Sequence, residues 1–97
     1  MSDRGLTLLL VKSTHVTVGV TATKLVDEGQ AVSGFRADLK NIGSATVFLG
    51  GADVTTSNGY ELAAAGTYTF VPEEPGEALY GIVATATVVV EVLTETA

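Results

Sequence analysis

The chain has 97 residues, a formal net charge of −6, and neither cysteine nor tryptophan. This length fits one domain, because two separately cored domains of half the size would be too small to be stable. The absence of cysteine excludes a disulfide framework, a thiolate metal site and a cysteine nucleophile. With 46% hydrophobic and only 16% charged residues, the composition is the opposite of that of a disordered protein.

The N-terminal end carries no export or membrane signal. The apolar run Leu8–Val11 is too short for the hydrophobic region of a secretion signal. No stretch approaches the ~18 apolar residues that a membrane-spanning helix needs. We therefore expect synthesis in a cytoplasm without a signal peptide, and no membrane partner.

The charges are segregated along the chain. Residues 1–40 hold five basic and four acidic residues, whereas residues 41–97 hold seven acidic residues and no basic one. So acidic a chain repels phosphate backbones, which excludes nucleic acid as the expected partner. The asymmetry indicates either contact with a partner through the basic end or charge that serves solubility alone. We expect the acidic half to face outward, with the basic N-terminal residues nearer a partner.

Alternation of period two is the main structural signal in the first half. Valines at alternate positions of residues 15–24 predict a strand with one apolar face. Residues 27–30 have the composition of a turn. Residues 35–40 alternate apolar and charged side chains, which is typical of a strand with one face in water.

The second half contains further short strands, which we expect at residues 46–49, 60–62, 67–71, 78–84 and 87–93. The polar loop before residue 60 ends in Asn58-Gly59, a dipeptide that accepts a positive φ. The last two strands are expected to form a hairpin near Thr85-Ala86, although the sequence offers no favourable turn dipeptide there.

No segment has the 3.6-residue period of an amphipathic helix. Short strands separated by turn signals predict an all-β fold: a single antiparallel β-sandwich or barrel of about seven to eight short strands. We expect this domain to span residues 13–97. Residues 1–12 are either an arm that adds a strand to a neighbouring molecule or the first strand of the same domain.

The residue types used in catalysis are sparse. His15 is the only histidine, and it lies at the start of a predicted strand. Glu73, Glu74 and Glu77 fall in a Pro/Gly loop, where we expect solvated carboxylates and no acid–base pair. Gly50-Gly51 is followed by no helix, so a tight turn is favoured over a phosphate-binding loop. We expect no enzymatic activity, no catalytic residues and no cofactor.

The loop before residue 60 is the main candidate for an exposed contact. Asp53, Thr55, Ser57 and Asn58 place oxygen atoms at close intervals, as calcium loops do, but the distal bidentate glutamate is missing, so we expect no metal site. Tyr60 is the aromatic residue that we expect outside the core. Asp53, Thr55, Asn58 and Tyr60 therefore form the candidate exposed contact, with a host glycan as one possible ligand.

Two blocks of sequence resemble a known family. The segment NIGSATVFLGG at residues 41–51, continued by VTTSNG at 54–59, and the segment PGEALYG at residues 75–81 are similar to a pattern of small β-rich accessory proteins of tailed phages, especially those of actinobacterial hosts. The resemblance extends over about residues 38–93. One departure is the turn at residues 63–66, which is one residue longer than in that pattern.

The resemblance implies a non-enzymatic virion structural protein. The expectation is a capsid decoration (cement) protein that binds the major capsid protein on the outer surface of the virion, as a homo-oligomer with a trimer favoured. Alternatives are a tail or head-fibre accessory domain, or a host-surface glycan-binding module. Alternating leucines and basic residues near the N-terminus form the expected partner interface, with members Arg4, Leu6, Leu8, Leu10 and Lys12.

Overall fold

The structure, a computed structural model, describes residues 10–27, 35–72 and 77–96. In these residues it contains eight β-strands and no helix. The strands are β1 Leu10–Val18, β2 Thr23–Val26, β3 Arg36–Asn41, β4 Val47–Gly50, β5 Tyr60–Leu62, β6 Thr67–Phe70, β7 Leu79–Ile82 and β8 Val88–Thr96. The prediction of an all-β antiparallel fold with seven to eight short strands is confirmed.

The strands form two four-stranded antiparallel sheets. Sheet I has the order β1-β8-β3-β6, and sheet II has the order β2-β7-β4-β5. The pairing is nested, because β1 pairs with β8, β2 with β7, β3 with β6 and β4 with β5. This is the connectivity of a jelly roll. Of the alternatives expected from sequence, the sandwich is observed.

Nested pairing makes most connections cross from one sheet to the other, and this corrects two expectations. The hairpin expected near Thr85-Ala86 is wrong, because β7 lies in sheet II and β8 in sheet I. The strand expected over residues 15–24 ends at Val18, where the chain crosses to β2 and leaves Val20 exposed. Alternation correctly predicts that these segments are strands. It carries no information about which sheet each strand joins.

The core lies between the inner faces of the two sheets. The predicted alternation in residues 35–40 is confirmed, since Phe35, Ala37 and Leu39 are buried and the residues between them are not. The main cluster of buried side chains consists of Val18, Leu25, Val26, Phe35, Ala37, Leu39, Val47, Leu49, Leu62, Leu79, Val83, Val88, Val90 and Val92. Aliphatic side chains supply nearly all of this cluster, and their burial is the main stabilising term.

One polar side chain, Asn41, is fully buried at the end of β3. Its Nδ2 donates hydrogen bonds to the carbonyl oxygens of Ala45 (2.8 Å) and Leu62 (3.0 Å). Its Oδ1 accepts a hydrogen bond from the backbone N–H of Gly43 at 2.9 Å. A buried amide is tolerated when its donors and acceptors are satisfied. Asn41 therefore links a strand of sheet I to a strand of sheet II.

The backbone of Asn41 extends the same network. Its N–H donates to the carbonyl of Gly66 at 3.0 Å, and its carbonyl accepts from the N–H of Ala65 at 2.9 Å. Gly43 fits against Val88, because a Cβ on Gly43 would lie 2.7 Å from Cγ1 of that valine. Asn41 thus fixes two crossovers between the sheets, the one from β3 to β4 and the one from β5 to β6.

The β5–β6 crossover contains a strained turn. The N–H of Gly66 donates to the carbonyl of Ala63 at 2.8 Å, and Ala65 has a φ of 66°. A positive φ at the third position of a turn is typical of type II turns, which favour glycine there. An alanine in this conformation costs about 1 kcal/mol.

We predict that Ala65→Gly stabilises the protein by about 0.5–1 kcal/mol, because relief of the strain exceeds the added flexibility of the unfolded chain. Urea unfolding would measure this change. Ala64→Gly is the matched control, since Ala64 has no positive φ and should lose up to about 1 kcal/mol. Destabilisation by both substitutions would contradict the assignment of strain to Ala65.

Candidate interaction surfaces

The β4–β5 loop, residues 51–59, folds back onto sheet II through Val54. This valine is buried beside two glycines. A Cβ on Gly50 would lie 2.8 Å from Cγ2 of Val54, and a Cβ on Gly59 would lie 2.5 Å from Cβ of Phe48. Both glycines are therefore required because a side chain would not fit. Gly59 does not have the positive φ that the Asn58-Gly59 dipeptide is able to adopt. The close contact with Phe48 is therefore the reason that glycine is needed at this position.

Two of the four predicted contact residues in this region stabilise the loop itself. The Oδ1 of Asn58 accepts the backbone N–H of Thr55 at 2.8 Å. The Oγ1 of Thr55 accepts the backbone N–H groups of Ser57 and Asn58, each at 3.2 Å. The N–H of Val54 donates to the carbonyl of Gly51, which confirms a tight turn after β4. The loop is consequently ordered by its own side chains, and Asp53 is exposed on it.

Tyr60, the fourth predicted contact residue, is exposed over 64% of its surface. Its ring lies 5.6 Å from the ring of Tyr68, measured between centroids, with 50° between the planes. Tyr60 is on β5 and Tyr68 on β6, which are the edge strands at the same side of the sandwich. This pair was not predictable from sequence, because only the arrangement of the two sheets brings these edges together.

The second predicted interface lies mostly outside the described residues. Arg4, Leu6 and Leu8 precede residue 10, where the description begins. Leu10 is the first residue of β1, opposite Thr96, and Lys12 lies opposite Thr94 with an exposed side chain. The expected boundary at residue 12 falls inside β1, so residues 10–12 belong to sheet I.

The expected separation of an acidic outward face from a basic face is wrong in sheet I. Strand β8 lies between β1 and β3. Its Glu91 is flanked by His15 and Lys40, and its Glu95 pairs with Arg36 on β3. Because nested pairing brings the two ends of the chain together, the acidic and basic segments interleave. Nothing in the sequence indicates this interleaving, because the order of charges along the chain does not show which strands are neighbours in the sheet.

The outer face of sheet II carries an apolar strip between the exposed charged residues Lys24 and Glu61. Phe48, Tyr80 and Ile82 are half-buried and lie on adjacent strands β4 and β7. The Nζ of Lys24 lies 5.8 Å from the centroid of the Tyr80 ring, within the range of a cation–π contact. A sheet face of this composition suits a flat contact with another protein.

The structure describes two of the four residues considered for catalysis from sequence, His15 and Glu77. His15 is exposed, and its Nε2 lies 3.3 Å from Oε2 of Glu91, a residue 76 positions away. Glu77 is exposed, while Glu73 and Glu74 lie outside the described residues. Within residues 10–27, 35–72 and 77–96, no three His, Cys, Asp or Glu side chains are placed so that they would hold a metal ion. Nor does this part of the chain contain a helix long and apolar enough to cross a membrane.

Asp38, on the outer face of sheet I, is the carboxylate whose environment changes its ionisation. The Oγ1 of Thr69 donates to Oδ1 of Asp38 at 2.7 Å, and Nη2 of Arg36 donates to the same oxygen at 3.3 Å. The Thr69 hydrogen bond, and secondarily Arg36, lower the pKa of Asp38 below its ordinary value of 3.8, against an opposing effect of burial. Asp38 and Thr69 are direct cross-strand neighbours on β3 and β6.

Comparison with known proteins adds no relative. No protein-family model matches the chain, and no curated protein is significantly similar to it.

We predict that Thr69→Val raises the pKa of Asp38 toward its ordinary value, because the principal hydrogen bond to the carboxylate is lost. A carboxylate with a lowered pKa in the folded state stabilises the fold above its unfolded pKa. That stability is lost as the pH falls through the folded pKa. The unfolding free energy of Thr69→Val should therefore depend less on pH below roughly pH 4.

An NMR titration of the Asp38 carboxyl carbon, combined with urea unfolding at several acidic pH values, would measure both effects. Thr67→Val is the matched control, because Thr67 lies on the same strand opposite Lys40. An unchanged Asp38 titration in Thr69→Val would contradict the assigned cause.

Proposed function

We propose that this chain is a non-enzymatic structural protein of a tailed-phage virion, and that it decorates the capsid by binding the major capsid protein on the outer shell. The observation that carries the proposal is where the two resembling blocks lie. The first block, residues 41–51, includes β4, and the second, residues 75–81, includes the first part of β7. These strands are direct neighbours, with Phe48 opposite Ile82 and Gly50 opposite Tyr80.

The two blocks, which are about 30 residues apart in the sequence, thus contribute adjacent strands to the same sheet. A chance similarity between short segments has no reason to select two strands that pair in register, whereas a shared domain does. The jelly-roll connectivity adds support, since viral capsid domains are among the proteins that use it. Because a fold by itself does not define a function, the sequence blocks carry the proposal and the fold is consistent with it.

The surface chemistry supports a binding role. Phe48, Tyr80 and Ile82 form an apolar strip on the outer face of sheet II, with Lys24 and Glu61 on either side. A decoration protein occupies many equivalent positions on a symmetric shell. If its copies are linked to one another, modest contacts at each position add to a tight association. We propose that Arg4, Leu6, Leu8, Leu10 and Lys12 supply a further contact with the capsid, as the alternating leucines predict.

Cryo-electron microscopy of the parent virion tests the location directly. The proposal predicts density for this domain on the outer capsid surface. Density on the tail or on a head fibre would contradict the capsid assignment and favour the accessory-domain alternative.

Co-sedimentation of the purified protein with undecorated capsids tests the contact. The double variant Arg4→Ala/Lys12→Ala should bind roughly tenfold more weakly, as expected when interface charges and their apolar stems are removed. Lys40→Ala is the control, because Lys40 lies on β3, an inner strand of sheet I. Equal binding by the double variant and the wild type would contradict the proposed contact.

The exposed pair Tyr60 and Tyr68 supports one second candidate, a host-surface glycan-binding module. Aromatic rings are the usual apolar contact for sugar rings, and 64% of Tyr60 is exposed. Calorimetric titration with host cell-wall oligosaccharides would detect binding that Tyr60→Ala abolishes. The absence of heat at millimolar sugar would remove this candidate.

A further inference from the structure

The four edge strands of the sandwich differ in how they are protected. Edge strand β5 has three residues and β6 has four. Strand β2 has four residues, with a register shift between Lys24 and Val26. In contrast, β1 has nine residues and pairs with β8 in unbroken register, from Leu10 opposite Thr96 to Val18 opposite Val88.

Short length, bulges, prolines and charged side chains are the usual means of preventing an edge strand from pairing with another chain. Three edges of this protein are short, and one of these also bulges. Strand β1, with the sequence LVKSTHVTV, is long and regular, lacks proline and carries one lysine. Threonine and valine favour extended pairing. Among the described strands, β8 is the only one that pairs with β1.

We propose that β1 pairs antiparallel with β1 of a second copy of this chain. The two four-stranded sheets I would then become one continuous sheet of eight strands across a twofold axis. The inference concerns association between copies. It goes beyond the proposed decoration function and does not depend on it.

A second copy is the occupant that the β1 sequence fits best. Thr14 is the middle residue of β1, so a register centred on it pairs all nine residues of both strands. In that register Thr14 faces itself, Ser13 faces His15, and Lys12 faces Val16. Threonine pairs are favourable across antiparallel strands, and no like charges stand opposite one another. The two Lys12 side chains lie several residues apart along the paired β1 strands.

Pairing of this kind uses the same strand on both copies. The contact therefore has twofold symmetry and joins two molecules without leaving a β1 edge for a third. It therefore predicts a dimer in solution, in contrast to the trimer that the family resemblance favours. A trimer requires a contact between two different surfaces, which β1 paired with itself does not provide.

Sedimentation equilibrium of the full chain at micromolar concentrations tests the proposal. The wild type should be dimeric. Thr14→Lys should be monomeric, because two lysines then face each other across the axis. Thr69→Lys is the matched control on β6, the other edge of sheet I, because this lysine would lie opposite Asp38, and it should remain dimeric. A monomeric or trimeric wild type would overturn the proposal, and so would equal loss of the dimer in both variants.

Disulfide formation tests the register independently of any folding defect in Thr14→Lys. The chain has no cysteine, so Thr14→Cys introduces a single thiol. Directly opposite residues in antiparallel strands have Cα atoms about 4.5–5.5 Å apart, a separation that a disulfide spans. Mild oxidation should cross-link Thr14→Cys into a dimer at least tenfold faster than Thr67→Cys. Equal rates would contradict pairing through β1, whatever the outcome of capsid binding.

Discussion

The hydrogen bonds of Asn41 are the constraint on which the two-sheet arrangement depends. A sandwich whose strands alternate between sheets must hold each crossover in place, and here one buried amide serves two of them. The side chain binds the β3–β4 connection and the carbonyl of Leu62 in sheet II, while the backbone binds the β5–β6 turn. A buried amide that lost these partners would retain the cost of desolvation without compensation. Because Gly43 has no side chain, the backbone of the β3–β4 crossover packs closely against Val88.

Much of the fold follows from residue alternation, and its limits have a physical cause. A period of two shows which side chains share a face, and it identified the strand containing Phe35, Ala37 and Leu39 correctly. It does not encode which strands are neighbours. The hairpin expected between β7 and β8 was therefore wrong. For the same reason, contacts such as Tyr60 with Tyr68, or His15 with Glu91 across 76 residues, were not predictable.

The candidate contact residues separate into two groups when they are seen in the fold. Asn58 and Thr55 order the β4–β5 loop, and Gly59 fits only because it lacks a side chain. The architecture therefore accounts for these residues, as it does for Asn41. Binding surfaces must come from side chains that the fold does not use, such as the apolar strip on the outer face of sheet II, and from the edge of β1 that no described strand covers. The low content of charged residues, 16% of the chain, is consistent with such surfaces.

The role of Asn41 is tested most directly by comparing Asn41→Ala with Asn58→Ala in urea unfolding. Both amides accept a backbone N–H in a turn, but Asn41 is buried and Asn58 is exposed. We expect Asn41→Ala to lower the unfolding free energy by about 3 kcal/mol or more, because three backbone groups lose their partner, and Asn58→Ala to lower it by about 1 kcal/mol. Equal losses in the two variants would contradict the account.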